Sequence, residues 1–314
     1  VLFKKGHIVR EEDIPALLSV GKEHLYVWEK QEGILHENEA AEILYRISAD
    51  IHMHGSDIKE GKIELIADCD GVLKIRRDAL LAVNSLGEMM IASRHGDFPV
   101  KKGDKIAGTR IIPLIIEKSK MDKAEKVAGT KPIFSILPYR SKKVGIITTG
   151  SEVQKGLIKD TFTPVLKEKL DEFSCQILGQ TLPGDERSQI TSDILSFIDQ
   201  DADMVICSGG MSVDPDDRTP GAIKDTGAEV VTYGAPVLPG AMLLLSYYQN
   251  NDKIIPILGL PGCVMYARRT VFDLILPRIM ADDRICADEI ASYGEGGLCL
   301  NCDVCTFPNC GFGK

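Results

Sequence analysis

The 314-residue chain reads as an α/β protein, a mostly parallel sheet sandwiched by helices, preceded by a smaller β-rich α+β domain. Three observations predict this. From residue 144 onward, short apolar runs (144–148, 175–180, 204–207, 230–231 and 254–258) alternate with segments whose apolar residues recur at helical spacing. Small-residue turns follow two of those runs, at Thr149-Gly150-Ser151 and at Ser208-Gly209-Gly210. Residues 1 to 117 are instead short strand-like runs punctuated by glycine. Strands alternating with helices of this length imply parallel pairing through right-handed crossovers.

In the first half, residues 14–18 read as a short helical run and 25–28 as a strand. Residues 38–48 form the best helix, with Ala41, Leu44, Tyr45 and Ile47 near helical spacing and Asn38 as a cap. Strands are expected at 62–66, 71–75, 88–92 and 105–107, with hairpin-type turns at Asp70-Gly71 and Gly103-Asp104. The lysine-rich stretch 117–131 reads as an exposed helix or linker, and 132–143 passes through two prolines. The expected domains are 1–137, a β-rich unit plus linker; 138–285, the α/β unit; and 286–314, a cysteine-rich tail.

In the second half, Asp160 or Thr161 can cap a helix carrying Val165, Leu166, Leu170 and Phe173. A further helix is expected from about residue 186. Thr219 offers a cap hydroxyl with Pro220 behind it and Gly227 as a stop. A closing amphipathic helix spans 268–281, with Arg268 and Arg269 at its start as candidate phosphate partners. Pro256, inside the last apolar run, argues for an edge strand or a break in the ladder there.

Ligands of such sheets sit beyond the carboxyl ends of the strands. The turns at Gly150 and Gly209-Gly210 both lie at such ends, where unhindered backbone N–H groups can converge on an anion. Two rigid bends, Pro239-Gly240 and Pro261-Gly262, can join the same pocket. The acidic residues Asp214, Asp216 and Asp217 would repel a phosphate directly, so a divalent metal between them is the natural way to use both features. A solvated loop whose aspartates cap turns is the plainer alternative.

A net charge of −9 argues against a general nucleic-acid binder, which needs a broad cationic surface, so any phosphate-bearing ligand must be held locally. No apolar run approaches the roughly 20 residues that span a bilayer, and the start Val1-Leu2-Phe3-Lys4-Lys5 lacks a signal peptide's apolar stretch. A cytoplasmic protein with neither nucleic acid nor membrane as partner is expected.

Five short motifs then occur in a telling order: Thr148-Thr149-Gly150-Ser151-Glu152, Pro183-Gly184-Asp185, Ser208-Gly209-Gly210 with Asp217-Arg218-Thr219-Pro220, Pro239-Gly240, and Gly259-Leu260-Pro261-Gly262. Over about residues 141–281 the chain resembles the molybdopterin-binding (MoaB/Mog/MoeA-like) domains of molybdenum cofactor biosynthesis. The resemblance implies binding of molybdopterin, with either adenylyl transfer to it from ATP with Mg2+ or molybdate insertion into the adenylylated form. It implies catalytic roles for Asp217, Glu152 and Asp160. It also implies cofactor contacts from Gly150, Ser151, Ser208, Gly209, Gly210, Ser212, Thr219, Pro239, Gly240, Pro261 and Gly262. Met211-Ser212 stands where adenylylating members have Thr-Gly and is closer to insertion-type members, whereas Cys263-Val264 departs from their Asn-Pro. A related subgroup cleaves nucleotide pyrophosphates. A non-catalytic cofactor carrier or redox-linked sensor is a further alternative. Molybdopterin and ATP, a molybdoenzyme client and a second copy of the chain are the expected partners.

Four of the nine cysteines, Cys299, Cys302, Cys305 and Cys310, fall in the last sixteen residues, in a stretch too short to bury a core of its own. Four thiols so spaced point to a metal centre. The triplet spacing is closer to an iron–sulfur run than to paired zinc knuckles, though the fourth spacing is one residue longer than in the ferredoxin pattern, so Zn2+ stays open.

Overall fold

A computed structural model describes residues 9–21, 24, 31–212 and 217–314. The expected strand at 25–28 and the aspartates Asp214 and Asp216 lie outside the described residues.

The second half is built on one six-stranded sheet. Its strands are β1 (Lys143–Thr148), β2 (Gln176–Thr181), β3 (Met204–Ser208), β4 (Glu229–Tyr233), β5 (Leu244–Asn250) and β6 (Lys253–Leu260), in the order β2-β1-β3-β6-β5-β4. The β2–β1, β1–β3 and β3–β6 ladders are parallel, and the β6–β5 and β5–β4 ladders antiparallel. Helices α1 (Phe162–Asp171), α2 (Arg187–Asp199), α3 (Thr219–Asp225) and α4 (Val271–Met280) complete the layers. Two clusters of buried apolar residues flank this sheet. One joins Val144, Ile146 and Ile206 to Leu166 and Phe272, and the other joins Ile147, Val205 and Cys207 to Ile190 and Ile194. Alternation along β1 and β3 sends successive residues to the two clusters, so both faces are covered. That is why these strands read as unbroken apolar runs.

β5 was not foreseen, because its apolar run follows the Pro239-Gly240 bend without a turn signal of its own. Its hairpin with β6 makes β6 a central strand and not an edge. Pro256 is tolerated because it pairs only with Tyr247 of β5, and the parallel ladder to β3 begins one residue later at Ile257. The closing helix begins at Val271, behind an N-cap at Thr270. Arg268 and Arg269 therefore precede it.

In the first half, strands Met53–Gly55, Lys62–Ala67, Lys105–Ile111 and Met89–Ser93 form one antiparallel sheet, and Phe98–Val100, Gly71–Ile75 and Phe134–Pro138 another. Asp70-Gly71 and Gly103-Asp104 are not hairpins. Each carries the chain from one sheet to the other, and the two lie side by side, the Lys102 N–H donating to Asp70 at 2.8 Å and Gly103 N–H to the Ala67 carbonyl at 2.8 Å. The lysine-rich stretch is a helix, Lys118–Ala128, whose Met121, Ala124 and Ala128 are fully buried, so it is part of this unit's core and not an exposed linker. Among the described residues, no helix is long and apolar enough to cross a membrane.

Candidate functional site at the carboxyl edge of the sheet

The three parallel central strands end in register. Thr148 pairs with Ser208, and Ser208 with Leu260. The turns that follow, at Gly150, Gly209-Gly210 and Pro261-Gly262, are thereby delivered to one edge. β2 ends beside them, with its last residue Thr181 paired to Ile147, and leads to Pro183-Gly184-Asp185. The antiparallel β5 begins at that same edge, since Leu244 pairs with Gly259, which places the Pro239-Gly240 bend there too.

Side chains and backbone tie these turns together. Thr149 donates its N–H to the Ser208 carbonyl at 2.8 Å, and its hydroxyl meets that of Thr219 at 3.1 Å. Thr219 in turn donates to the Gly209 carbonyl at 2.9 Å. Expected as a helix cap, Thr219 is the first residue of α3, and its hydroxyl closes the glycine turn instead. Gly209 has φ of +87°, and an added Cβ would lie 2.5 Å from the Thr149 carbonyl oxygen, so both the conformation and the close approach require glycine. Ser208 is fully buried with its hydroxyl directed at the Ile147 carbonyl. Its side chain supports the turn from beneath.

Gly150 and Ser151 are fastened to the neighbouring turn. Ser151 donates both its N–H, at 2.9 Å, and its hydroxyl, at 2.5 Å, to one oxygen of Asp185. Sequence reasoning quoted Asp185 in a motif but gave it no role; its signal was the polar residue closing Pro-Gly-Asp. At the same edge the buried Thr181 hydroxyl has no hydrogen-bond partner.

The three acidic candidates separate. Asp160 accepts the N–H groups of Phe162 at 2.9 Å and Thr163 at 3.2 Å, and the Gln180 amide at 2.6 Å, so its carboxylate caps α1. Burial pushes the Asp160 carboxyl up, but these hydrogen bonds outweigh it and hold the group below the ordinary carboxylate range. Glu152 is exposed on the short helix Ser151–Gln154. Asp217 is half-buried just before α3, and its charge, after burial, helps to raise the Tyr233 hydroxyl pKa. The Tyr233 hydroxyl donates toward the carbonyls of Met211 at 3.2 Å and Ser212 at 3.4 Å, bracing the two residues that follow the glycine turn. Among the described residues, no three His, Cys, Asp or Glu side chains come together as a metal-holding group, so Glu152, Asp160 and Asp217 do not form a magnesium site by themselves.

Pro239 and Gly240 sit against the start of α4. Val271 donates its N–H to the Pro239 carbonyl at 3.1 Å, and a Cβ on Gly240 would meet the Val271 side chain at 2.6 Å. Gly262 is different, since the only atom near its absent Cβ is the Tyr266 hydroxyl at 3.5 Å. Arg268 and Arg269 turn away from a phosphate role. Arg268 donates to the carbonyls of Cys302 at 3.3 Å and Asp303 at 2.6 Å, while Arg269 pairs with Asp273 at 2.9 Å and covers the Phe307 ring at 4.9 Å.

Residues 145–281 match the family described as "Probable molybdopterin binding domain". This segment belongs to that family. It is a MoaB/Mog/MoeA-like domain of molybdenum cofactor biosynthesis. Residues 1–29 match a "Domain of unknown function (DUF8806)". The molybdopterin molybdenumtransferase of Haemophilus influenzae is 28% identical over 236 residues, 72% of this chain and 54% of that protein. That of Synechococcus elongatus is 25% identical over 193 residues, 59% of this chain and 44% of that protein. The chain thus spans about half the length of the curated relatives it matches. Among solved structures, the tungsten cofactor synthesizing protein MoaB from Pyrococcus furiosus aligns with a TM-score of 0.39 and 16% identity, covering 46% of this chain and 99% of that one.

Proposed function

We propose that this protein binds molybdopterin at the carboxyl edge of its six-stranded sheet, in the synthesis or delivery of the molybdenum cofactor. The observation that carries the reading is the register of Thr148, Ser208 and Leu260, which brings the turns at Gly150, Gly209-Gly210 and Pro261-Gly262 to one edge inside the family segment. In this reading the amides of Gly209 and Gly210 take the oxygens of the pterin phosphate, as backbone N–H groups in turns and at helix starts do. Gly150, Ser151 and Ser212 line the same edge, Thr219 and Ser208 hold the glycine turn in shape, and Pro239, Gly240, Pro261 and Gly262 form the opposite wall.

Of the two reactions, molybdate insertion is favoured over adenylyl transfer. Met211 is buried against Gly259 of β6, where a Cβ would come within 2.5 Å of its methyl, so this turn is shaped by a bulky side chain that Thr-Gly would not supply. The relatives named molybdopterin molybdenumtransferases point the same way. Asp160 is committed to its helix cap, and Glu152 and Asp217 are the other two carboxylates to which the family resemblance gives a catalytic role. A non-catalytic carrier is the second reading, favoured by the absence, among the described residues, of a gathered metal-holding group.

The test is pterin binding, followed by incubation of the protein with adenylylated molybdopterin and molybdate, and separately with molybdopterin, ATP and Mg2+, with analysis of the pterin product and released AMP beside Asp217→Ala. Insertion predicts molybdenum-loaded pterin from adenylylated substrate, reduced at least tenfold by the substitution. Tight pterin binding without any product establishes the carrier. Absence of pterin binding by either protein overturns both.

A further inference from the structure

We propose that Cys299, Cys302, Cys305 and Cys310 hold an iron–sulfur cluster, and not a single zinc ion, in a cavity between the C-terminal segment and Arg268–Arg269. The inference is independent of the pterin reading. A cavity of about 240 Å³ lies beside the glycine turns and not on them, and all four cysteines line it, together with both arginines.

The size of that void decides between the two metals. A zinc ion draws its thiolates to about 2.3 Å, which packs four sulfurs into one tight tetrahedron with no space at its centre. Here all four cysteines line one cavity of about 240 Å³, which has room for an inorganic core. A [4Fe–4S] cluster has that requirement, since each of its four thiolates binds a different iron and the ligands enclose the volume of the inorganic core.

The frame around the cavity is fixed by packing onto the α/β unit, since the tail is too short to bury a core of its own. Phe312 is 4% exposed in the main apolar cluster, and Phe307 stacks between Phe98 and Phe312 with centroids 6.2 Å from each. Leu238 donates to the Gly297 carbonyl and accepts from the Cys299 N–H, both at 2.8 Å. Cys299 and Cys310 are half-buried at the two ends of this frame, and Cys302 and Cys305 lie on the exposed stretch between them. That stretch is tethered by Arg268 through the Cys302 and Asp303 carbonyls. The guanidinium groups offset the negative charge that four thiolates bring to a cluster, and the apolar Leu298, Phe307 and Phe312 on the cavity wall limit water. The Leu238 bonds join the segment to the chain just before the Pro239-Gly240 bend.

The experiment is anaerobic reconstitution of the full chain with ferrous iron and sulfide, followed by desalting, iron and acid-labile sulfide analysis, and electron paramagnetic resonance before and after dithionite. The expected result is iron and sulfide bound in equal amounts, with a visible absorption band that dithionite bleaches. Cys302→Ser and Cys305→Ser should each lower bound iron at least fivefold, while Cys286→Ser, an exposed cysteine outside the cavity, should leave it unchanged. Zinc bound in preference to iron without sulfide, or no metal uptake, would overturn the proposal. So would iron uptake insensitive to both serine variants. Should those variants fail to fold, the iron-to-sulfide ratio and the resonance spectrum of the unaltered chain still decide.

Discussion

Asp185 accepts two hydrogen bonds from Ser151 through a single carboxylate oxygen, one from the backbone N–H at 2.9 Å and one from the hydroxyl at 2.5 Å. The turn after β2 is thereby bolted to the turn after β1, and the Gly150 N–H adds a longer bond to the Gly184 carbonyl at 3.4 Å. Asp185→Ala leaves two donors unpaired, which costs about 1–3 kcal/mol of stability. It also loosens Gly150 and Ser151 at the pterin edge. Denaturant unfolding and a pterin titration should both register the change, and Asp185→Asn, whose amide oxygen still accepts, should recover part of it.

Asp160 supplies a pH dependence with a definite sign. Its folded-state pKa is depressed, so its stabilisation is fully present above the unfolded-state value of about 3.9 and is lost as pH falls through the lower folded-state value. Asp160→Ala should cost about 1 kcal/mol at neutral pH, as the loss of a helix-capping carboxylate does. Urea unfolding at a series of pH values should show the gap between the two proteins closing only on the acid side of that range.

Arg278 is the third lever. Its side chain is 2% exposed and reaches Asp283 and Glu289, both at 2.6 Å, while Lys74 of the N-terminal unit reaches Asp283 at 2.8 Å. Arg278→Met leaves Asp283 with Lys74 alone and Glu289 without its guanidinium, at the cost of a buried ion pair, about 3 kcal/mol. Removing Asp283 at the same time should cost less than the sum of the two single changes, because the Arg278–Asp283 pair is then lost once and not twice. Thermal unfolding of the three variants measures the coupling.

The α/β architecture was legible because β1 and β3 are buried on both faces, which leaves an uninterrupted apolar signature, and because their glycine turns break it sharply. Other features were hidden for identifiable reasons. β5 merges with the bend before it, so no turn residue marks its start. The turns at Asp70-Gly71 and Gly103-Asp104 have hairpin composition, but the pairing partners lie in different sheets, a choice made by packing and not by the turn. At the site, the glycines stood out because their conformations exclude side chains. The cap by Asp160 was legible too, because its donors lie two and three residues further on, whereas its bond from Gln180 and the grip of Asp185 on Ser151 were not, because they span 20 and 34 residues of sequence. Arg268 and Arg269 looked like phosphate ligands by position. Their carbonyl, carboxylate and aromatic partners become visible only when the tail is docked.

The most direct test of the central claim is equilibrium dialysis of molybdopterin against the unaltered protein and Gly262→Leu. Gly262 has ordinary backbone geometry, and a Cβ there would meet only the Tyr266 hydroxyl, at an ordinary contact distance of 3.5 Å, so the substitution fills the pterin edge without straining the backbone. The account predicts about one pterin per chain for the unaltered protein, at least tenfold weaker binding for the variant, and the same thermal midpoint for both. Pterin retained equally by both proteins would contradict the placement of the site, and none bound by the unaltered protein would contradict the function.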